Sequence, residues 1–244
     1  MNSYSHCSSM RRLAALALAL ALASGLAASP SRAEVARESR SVAGIDRVLL
    51  RTVGELEITQ AADEALVVEA EPRVLRQITT AVSQGTLTID TTGGGFSTRE
   101  PVRFLLRVKR LAAIASTASG SVHTAALAAD HLRLELAGSG DMRVDALTAR
   151  TLAVEMPGAG SMEIGSGHVD QATLRVTGAA QYAGPQFRIR DARVDVDGSG
   201  DVVVAVEKSL AVTVRGSGRV GYRGDPVVTR KIDGAGSVER EGPQ

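Results

Sequence analysis

The sequence predicts an all-β fold, a parallel β-helix or solenoid with coils of about 20 residues and Gly-x-Gly corners. Three observations predict it. A triplet of small residues recurs at fixed spacing. Between triplets, apolar and polar residues alternate with a period of two. Finally, the 244 residues include no Trp and only three Tyr and three Phe. Val, Leu, Ile and Ala must therefore fill the interior, which suits thin β-layers better than a core anchored on aromatics.

Taken in order, residues 1–33 read as a secretory signal. Arg11 and Arg12 form its positive region, 13–26 its Ala/Leu core, and Ser31-Arg32-Ala33 a small-residue cleavage pattern before Glu34. The apolar run of about 14 residues is short of the roughly 20 that cross a bilayer, so no membrane span is expected after cleavage. Cys7, the one cysteine, lies before that core. The exported part is then without thiol or disulfide, and packing and backbone hydrogen bonds must hold it together. Leaving out Arg11, Arg12 and Arg32, 25 basic residues face 27 acidic ones, with both signs interspersed. No basic stripe is present, which argues against a nucleic-acid partner.

Residues 34–117 lack the repeat but are strand-like over 48–52, 56–59, 65–70, 86–90, 102–108 and 111–115. A helical turn is expected after Glu71-Pro72 and a loop at Gly93-Gly94-Gly95. With no Pro- or Ser-rich linker before the repeats, this segment is expected to continue the sheet or cap the solenoid, because an open end leaves strand edges unpaired.

The repeat region spans 118–244. Its triplets begin at Ser119-Gly120 and continue as Gly138-Ser139-Gly140 and Gly158-Ala159-Gly160. A degenerate copy, Gly178-Ala179-Ala180, is followed by Gly198-Ser199-Gly200, Gly216-Ser217-Gly218 and Gly234-Ala235-Gly236. Their last residues advance by 20 four times and then by 18 twice. After each triplet come inward positions such as Met142 and Val144 or Val202 and Val204; before the next come Leu132, Leu134 and Leu136 or Val194 and Val196. Arg133, Glu135, Arg143, Asp145, Arg193 and Asp195 alternate with them, as on strands with one face buried. A shorter third stretch carries Leu127, Leu147, Phe187 and Ile189. No single unit can bury its apolar face, whereas stacked copies about 4.8 Å apart can, giving a rod on the order of 30 Å. Glycine suits the corner because it reaches φ > 0 and lets successive corners approach closely. Crossover chirality favours a right-handed coil. The competing architecture, an antiparallel meander with Gly-Ser-Gly hairpins, would not require a strict 20-residue register.

The run from Val42 through Leu56-Glu57-Ile58-Thr59-Gln60, then Leu66-Val67-Val68-Glu69-Ala70, Gly85-Thr86-Leu87-Thr88-Ile89, Pro101-Val102-Arg103 and Ala118-Ser119-Gly120-Ser121 resembles the GIN-domain family. The repeated Gly-Ser-Gly-Asp at Gly138 and Gly198 completes the likeness. This family, of unassigned function, is labelled an auto-transporter adhesin head. The resemblance implies a β-helical head of an exported protein and brings no catalytic residues. Because the chain stops eight residues after its last triplet, it is expected to carry no translocator barrel.

Candidate sites are few. Asp141 and Asp201 follow Gly-Ser-Gly, but calcium solenoids want tandem Gly-Gly-x-Gly-x-Asp nonapeptides, so these read as turn residues. Gly165-Ser166-Gly167 is half of a nucleophile elbow without the Gly-x-Ser-x-Gly context. His123, His131 and His168 fall in different coils. Asp195, Asp197 and Asp201 cluster near a corner and are the residues on which a polysaccharide lyase or hydrolase would rest. The leading expectation is an exported, non-enzymatic, adhesin-like module binding an envelope protein or glycan, without cofactor or metal, in the periplasm or at the cell surface. A carbohydrate-active enzyme and a purely structural envelope component are the alternatives.

Overall fold

The computed structural model describes residues 35–242; the proposed leader lies outside the described residues. The repeats form long, bent strands: β9 (Ser121–Leu136), β10 (Asp141–Met156), β11 (Ser161–Gly178), β12 (Gln181–Gly198) and β13 (Asp201–Gly216). Two closing coils are built from β14 (Arg219–Arg223), β15 (Val227–Gly234) and β16 (Ser237–Arg240). Every pairing among them is parallel. This is the solenoid, and it excludes the hairpin meander. Each bent strand starts on one side, turns through a short second segment, and ends on another side just before the next Gly-x-Gly corner.

Stacking produces columns of like residues. One runs Val122, Met142, Met162, Tyr182, Val202, Val220, Val238 and another Leu134, Val154, Leu174, Val194, Val212, all buried. Each such side chain contributes about 1.5–3 kcal/mol through burial. Leu127, Leu147, Phe187 and Ile189, from the middle segment, are also buried. The offset between coils is 20 residues from β9 through the start of β12 and 18 from the Asp191–Ser209 pairing onward. The change takes two slips against β13, one between Gly184 and Arg188, where Phe187 finds no partner in β13, and one between Ile189 and Asp191. A shorter perimeter encloses less volume, and the interior of the shortened coils is mostly valine, Val202, Val204, Val206, Val212, Val214 and Val220 beside Leu210, where earlier coils also carry Met and Phe.

The corners differ from the expectation in one respect. Gly178, Gly198, Gly216 and Gly234 have positive φ, but Gly138, Gly140, Gly158 and Gly160 do not. At these four the requirement is close approach: a Cβ on Gly140 would overlap the carbonyl of Gly120, and one on Gly138 the carbonyl of Ala118. The last glycine of the later triplets lies over a buried side chain of the coil below: a Cβ on Gly200 would come within 2.6 Å of Val176, and on Gly218 or Gly236 within 2.5 Å of Val196 or Val214. Ala180 breaks the pattern, and by the same register it stands over Met156, unbranched at Cβ.

The segment before the repeats contains β1 (Ala36–Arg40), β2 (Arg47–Leu50), β3 (Glu55–Gln60), β4 (Ala65–Ala70), α1 (Pro72–Leu75), β5 (Ile78–Ser83), β6 (Thr86–Thr91), β7 (Arg103–Val108) and β8 (Ala113–Ser116). β8 leads into β9 as an ordinary coil. The β2–β3 coil pairs with β8 and β9 on one side and with β6 and β7 on the other, always in parallel. The coil that comes first in the chain is therefore second in the stack. Beyond the β6–β7 coil the direction reverses: β4 lies antiparallel on β7, β5 antiparallel on β6, and β1 antiparallel on β4. Gln60 finishes the short side, its amide donating to the Lys109 and Ala128 carbonyls and accepting from the Ala128 N–H.

Glu71, buried beside α1, pins the loop over 92–102. Its carboxylate accepts from the Arg99 N–H at 2.6 Å, the Thr98 hydroxyl at 3.1 Å and the Glu100 N–H at 3.3 Å, and pairs with Arg73 at 2.7 Å. These donors, the Arg99 amide foremost, pull its pKa down to about 2.

The opposite end is finished differently. Among the described residues, β15 pairs only with β13 and β16 only with β14. Val227 is 75% and Ile232 41% exposed there. Arg230 stands opposite Val212, where the apolar column would otherwise continue.

Candidate functional site

With the interior filled by aliphatic columns, the groups available for chemistry lie on the outward ladders. On the side built from the first halves of β9–β11, His123 hydrogen-bonds Asp145 at 3.0 Å, Asp145 accepts from Arg143 at 2.7 Å, and Arg143 reaches Glu163 at 2.6 Å. The His123 bond, then that of Arg143, holds the Asp145 carboxyl below its usual value, and Asp145 with Glu163 raises Arg143. On the short side the ladder alternates in sign: Arg150 lies 3.5 Å from Asp130 and Arg190 3.5 Å from Asp170. His131 meets the Thr151 hydroxyl at 2.7 Å, and His168 is 3.6 Å from Asp170. Contrary to the expectation of three different coils, His123 and His131 share β9, one in each of its halves, while His168 lies in β11; each has its own local polar neighbour.

The side built from the second halves carries the acidic cluster noted in the sequence. Asp195 and Asp197 line a polar depression of about 250 Å³ with Arg175, Thr177, Arg193 and Arg215. Asp195 is engaged by Arg193 at 2.9 and 3.3 Å, and its side chain is only 13% exposed. Asp201 is not among the lining residues; it lies past the corner, at the start of β13, in register with Gln181 and Arg219. The structure therefore brings together two of the three acids, but with three guanidiniums around them. Arg175, Thr177 and Arg215 were not singled out from sequence, although aligning the repeats at 20 and 18 residues places Arg175 opposite Asp195 and Asp197 opposite Arg215.

Other depressions lie at the ends of the short side. One of about 470 Å³ is bounded by Asp46, Arg110, Asp130 and His131, and one of about 380 Å³ by Arg188, Arg223, Arg240 and their acidic neighbours. Among the described residues no group of three or more His, Cys, Asp or Glu side chains is placed to hold a metal ion. Asp141 and Asp201 each begin a strand after a corner, and Gly165-Ser166-Gly167 is absorbed into β11, where Ser166 donates to the Asp145 carbonyl.

No curated protein matches the chain. Among solved structures it is similar to a putative adhesin from Bacteroides fragilis, 22% identical, covering 85% of this chain and 97% of that one with a TM-score of 0.81. A putative adhesin from Parabacteroides distasonis is 21% identical over 85% and 97% of the two chains, with a TM-score of 0.72. A structure described as a putative lipid binding protein, from the same species, is 20% identical over the same shares, with a TM-score of 0.70. These likenesses establish the fold. The family model described as "Putative auto-transporter adhesin, head GIN domain" matches residues 46–226, from the start of β2 through β14, and the chain belongs to that family.

Proposed function

We propose that this chain is an exported, non-enzymatic, adhesin-like solenoid that binds a component of the cell envelope through its outward polar ladders. The observation that carries the reading is the division of labour in each coil: inward positions form a continuous aliphatic core, and outward positions repeat charged and hydroxyl side chains at the pitch of the sheet. Such a surface offers many equivalent contacts along one axis, the property expected of a binding head. The family membership and the proposed leader support the same reading. Fold by itself does not assign function, so the proposal rests on these surface features.

The purified chain is expected to bind isolated envelope fractions saturably, and to release no new reducing ends or unsaturated sugar products from a panel of polysaccharides. Cleavage that disappears in Asp195→Asn or Asp197→Asn would replace this proposal with that of a carbohydrate-active enzyme. Failure to bind any envelope fraction would leave a structural role in its place.

A further inference from the structure

On the outward ladders, several arginines in register with an acid close an ion pair with it. Arg37 does so with Glu69 at 2.7 Å, Arg103 with Glu55 at 3.0 Å and Arg143 with Glu163 at 2.6 Å. Three do not: Arg219, in register with Asp201, lies instead 3.8 Å from Glu239, and the other two pair with no acid among the described residues. Arg175 stands between Glu155 and Asp195, and Arg215 between Asp197 and Asp233, yet neither guanidinium has an ion-pair or hydrogen-bond partner among the described residues. Glu155 is taken by Arg133 at 2.7 Å and Asp195 by Arg193. The carboxylate of Asp197 is also uncommitted. These unspent groups border the same polar depression, with the Thr177 hydroxyl beside them.

We infer that this depression is a binding site for an acidic saccharide, a glycan carrying uronic-acid carboxylates. Arg175 and Arg215 lie two coils apart and two residues offset along the strand, about 12 Å at the backbone, so they can meet an acidic sugar from either side of its ring. A guanidinium presents a planar fork that matches a carboxylate with two parallel hydrogen bonds. Asp197 needs donors, and the vicinal hydroxyls of the same sugar supply them. A ligand made only of anionic groups, such as free phosphate, would satisfy the arginines but face Asp197 as a like charge. A neutral sugar would leave both guanidiniums unmatched. The ligand that answers the whole lining therefore carries both a carboxylate and hydroxyl donors. This inference rests on the proposed binding role and gives it a ligand class and a place.

The test is calorimetric or NMR titration of the full chain with galacturonate trisaccharide, galactose trisaccharide and a tri-glutamate peptide. Binding of the uronate at least tenfold tighter than the neutral sugar is expected, weakened at least tenfold in Arg175→Gln and in Arg215→Gln and reduced in Asp197→Asn. All three substitutions are at outward positions, and unchanged melting temperatures show that the fold is retained. Equal binding of the neutral sugar, uronate binding indifferent to these substitutions, or no binding overturns the inference. Tighter binding of the peptide at the same residues overturns it in favour of a protein partner. Because the proposed function is read separately on whole envelope fractions, its failure and the failure of this site are distinguishable.

Discussion

Two buried residues show how individual side chains set the stability of this solenoid. Tyr182 is the largest of the fully buried side chains, and it fits because Gly184 has no Cβ: one built there would lie 3.0 Å from the phenol oxygen. That hydroxyl has no hydrogen-bond partner among the described residues, and burial pushes its pKa well above the ordinary tyrosine value. An unsatisfied buried hydroxyl costs about 1–3 kcal/mol. Tyr182→Phe keeps the ring and removes the cost, so it is expected to raise stability by about 1 kcal/mol, read from chemical denaturation; a loss of stability would show that the hydroxyl has a partner. Glu71 works in the opposite sense. Its folded pKa, about 2, lies below the ordinary value of 4.5, so the ionised carboxylate favours the folded state. That contribution is complete above pH 4.5 and is lost as the pH falls towards 2. Protection of the Arg99 and Glu100 amides, taken relative to the intrinsic exchange rate at each pH, should fall across this window, and Glu71→Gln should lower it already at neutral pH. Unchanged protection in the variant would mean that the loop is held by other contacts.

At the scale of elements, the two ends of the stack answer the problem of open strand edges in different ways. At the beginning, antiparallel strands β4, β5 and β1 cover the last parallel coil. At the other end β15 keeps a free edge, and protection comes from charge: Arg230 occupies an inward column position and Lys231 follows it on the outward face. An inward-pointing charge on an edge strand discourages another strand from adding, because its pairing would bury the guanidinium. Arg230→Val restores the apolar column up to the edge. It is expected to shift the chain towards dimers and larger species in sedimentation velocity at concentrations where the unaltered chain sediments as a smaller species. An identical distribution for the two would assign the protection to another residue. The short strands β1 and β5 were not evident from sequence. Ala36–Arg40 has no apolar alternation, and Ile78–Ser83 is mostly Thr, Ala and Ser; both are strands because a neighbouring edge needs a partner.

For the molecule as a whole, the repeats were legible to the level of register. The Gly-x-Gly spacing in the sequence, 20 then 18, equals the offset between paired coils, since each coil must return to the same corner before the next begins. Val122, Met142 and Met162 could be assigned to one column for the same reason. The order of coils before residue 113 was not legible, because nothing local in Arg47–Leu50 or Glu55–Gln60 says that it will sit between two later segments. That is decided by pairing across tens of residues. The candidate site was half legible. Asp195 and Asp197 were noticed as neighbours in the chain, whereas the guanidiniums of Arg175 and Arg215 matter only once coils are stacked and Asp195 is seen to be taken by Arg193.

The displaced β2–β3 coil bears on how the chain acquires its form when it emerges from its amino-terminal side. This coil is available first, with both edges unpaired. By residue 108 the β6–β7 coil has taken one of those edges and has been sealed on its far side by β4 and β5. From that point a single edge accepts new chain. Each later segment of about 20 residues meets a finished template, in the only register its corner allows, and adds in the direction of emergence. The inverted start turns a stack that could have grown at either end into a one-way assembly, in which the order of arrival and the order of stacking coincide for every coil that follows.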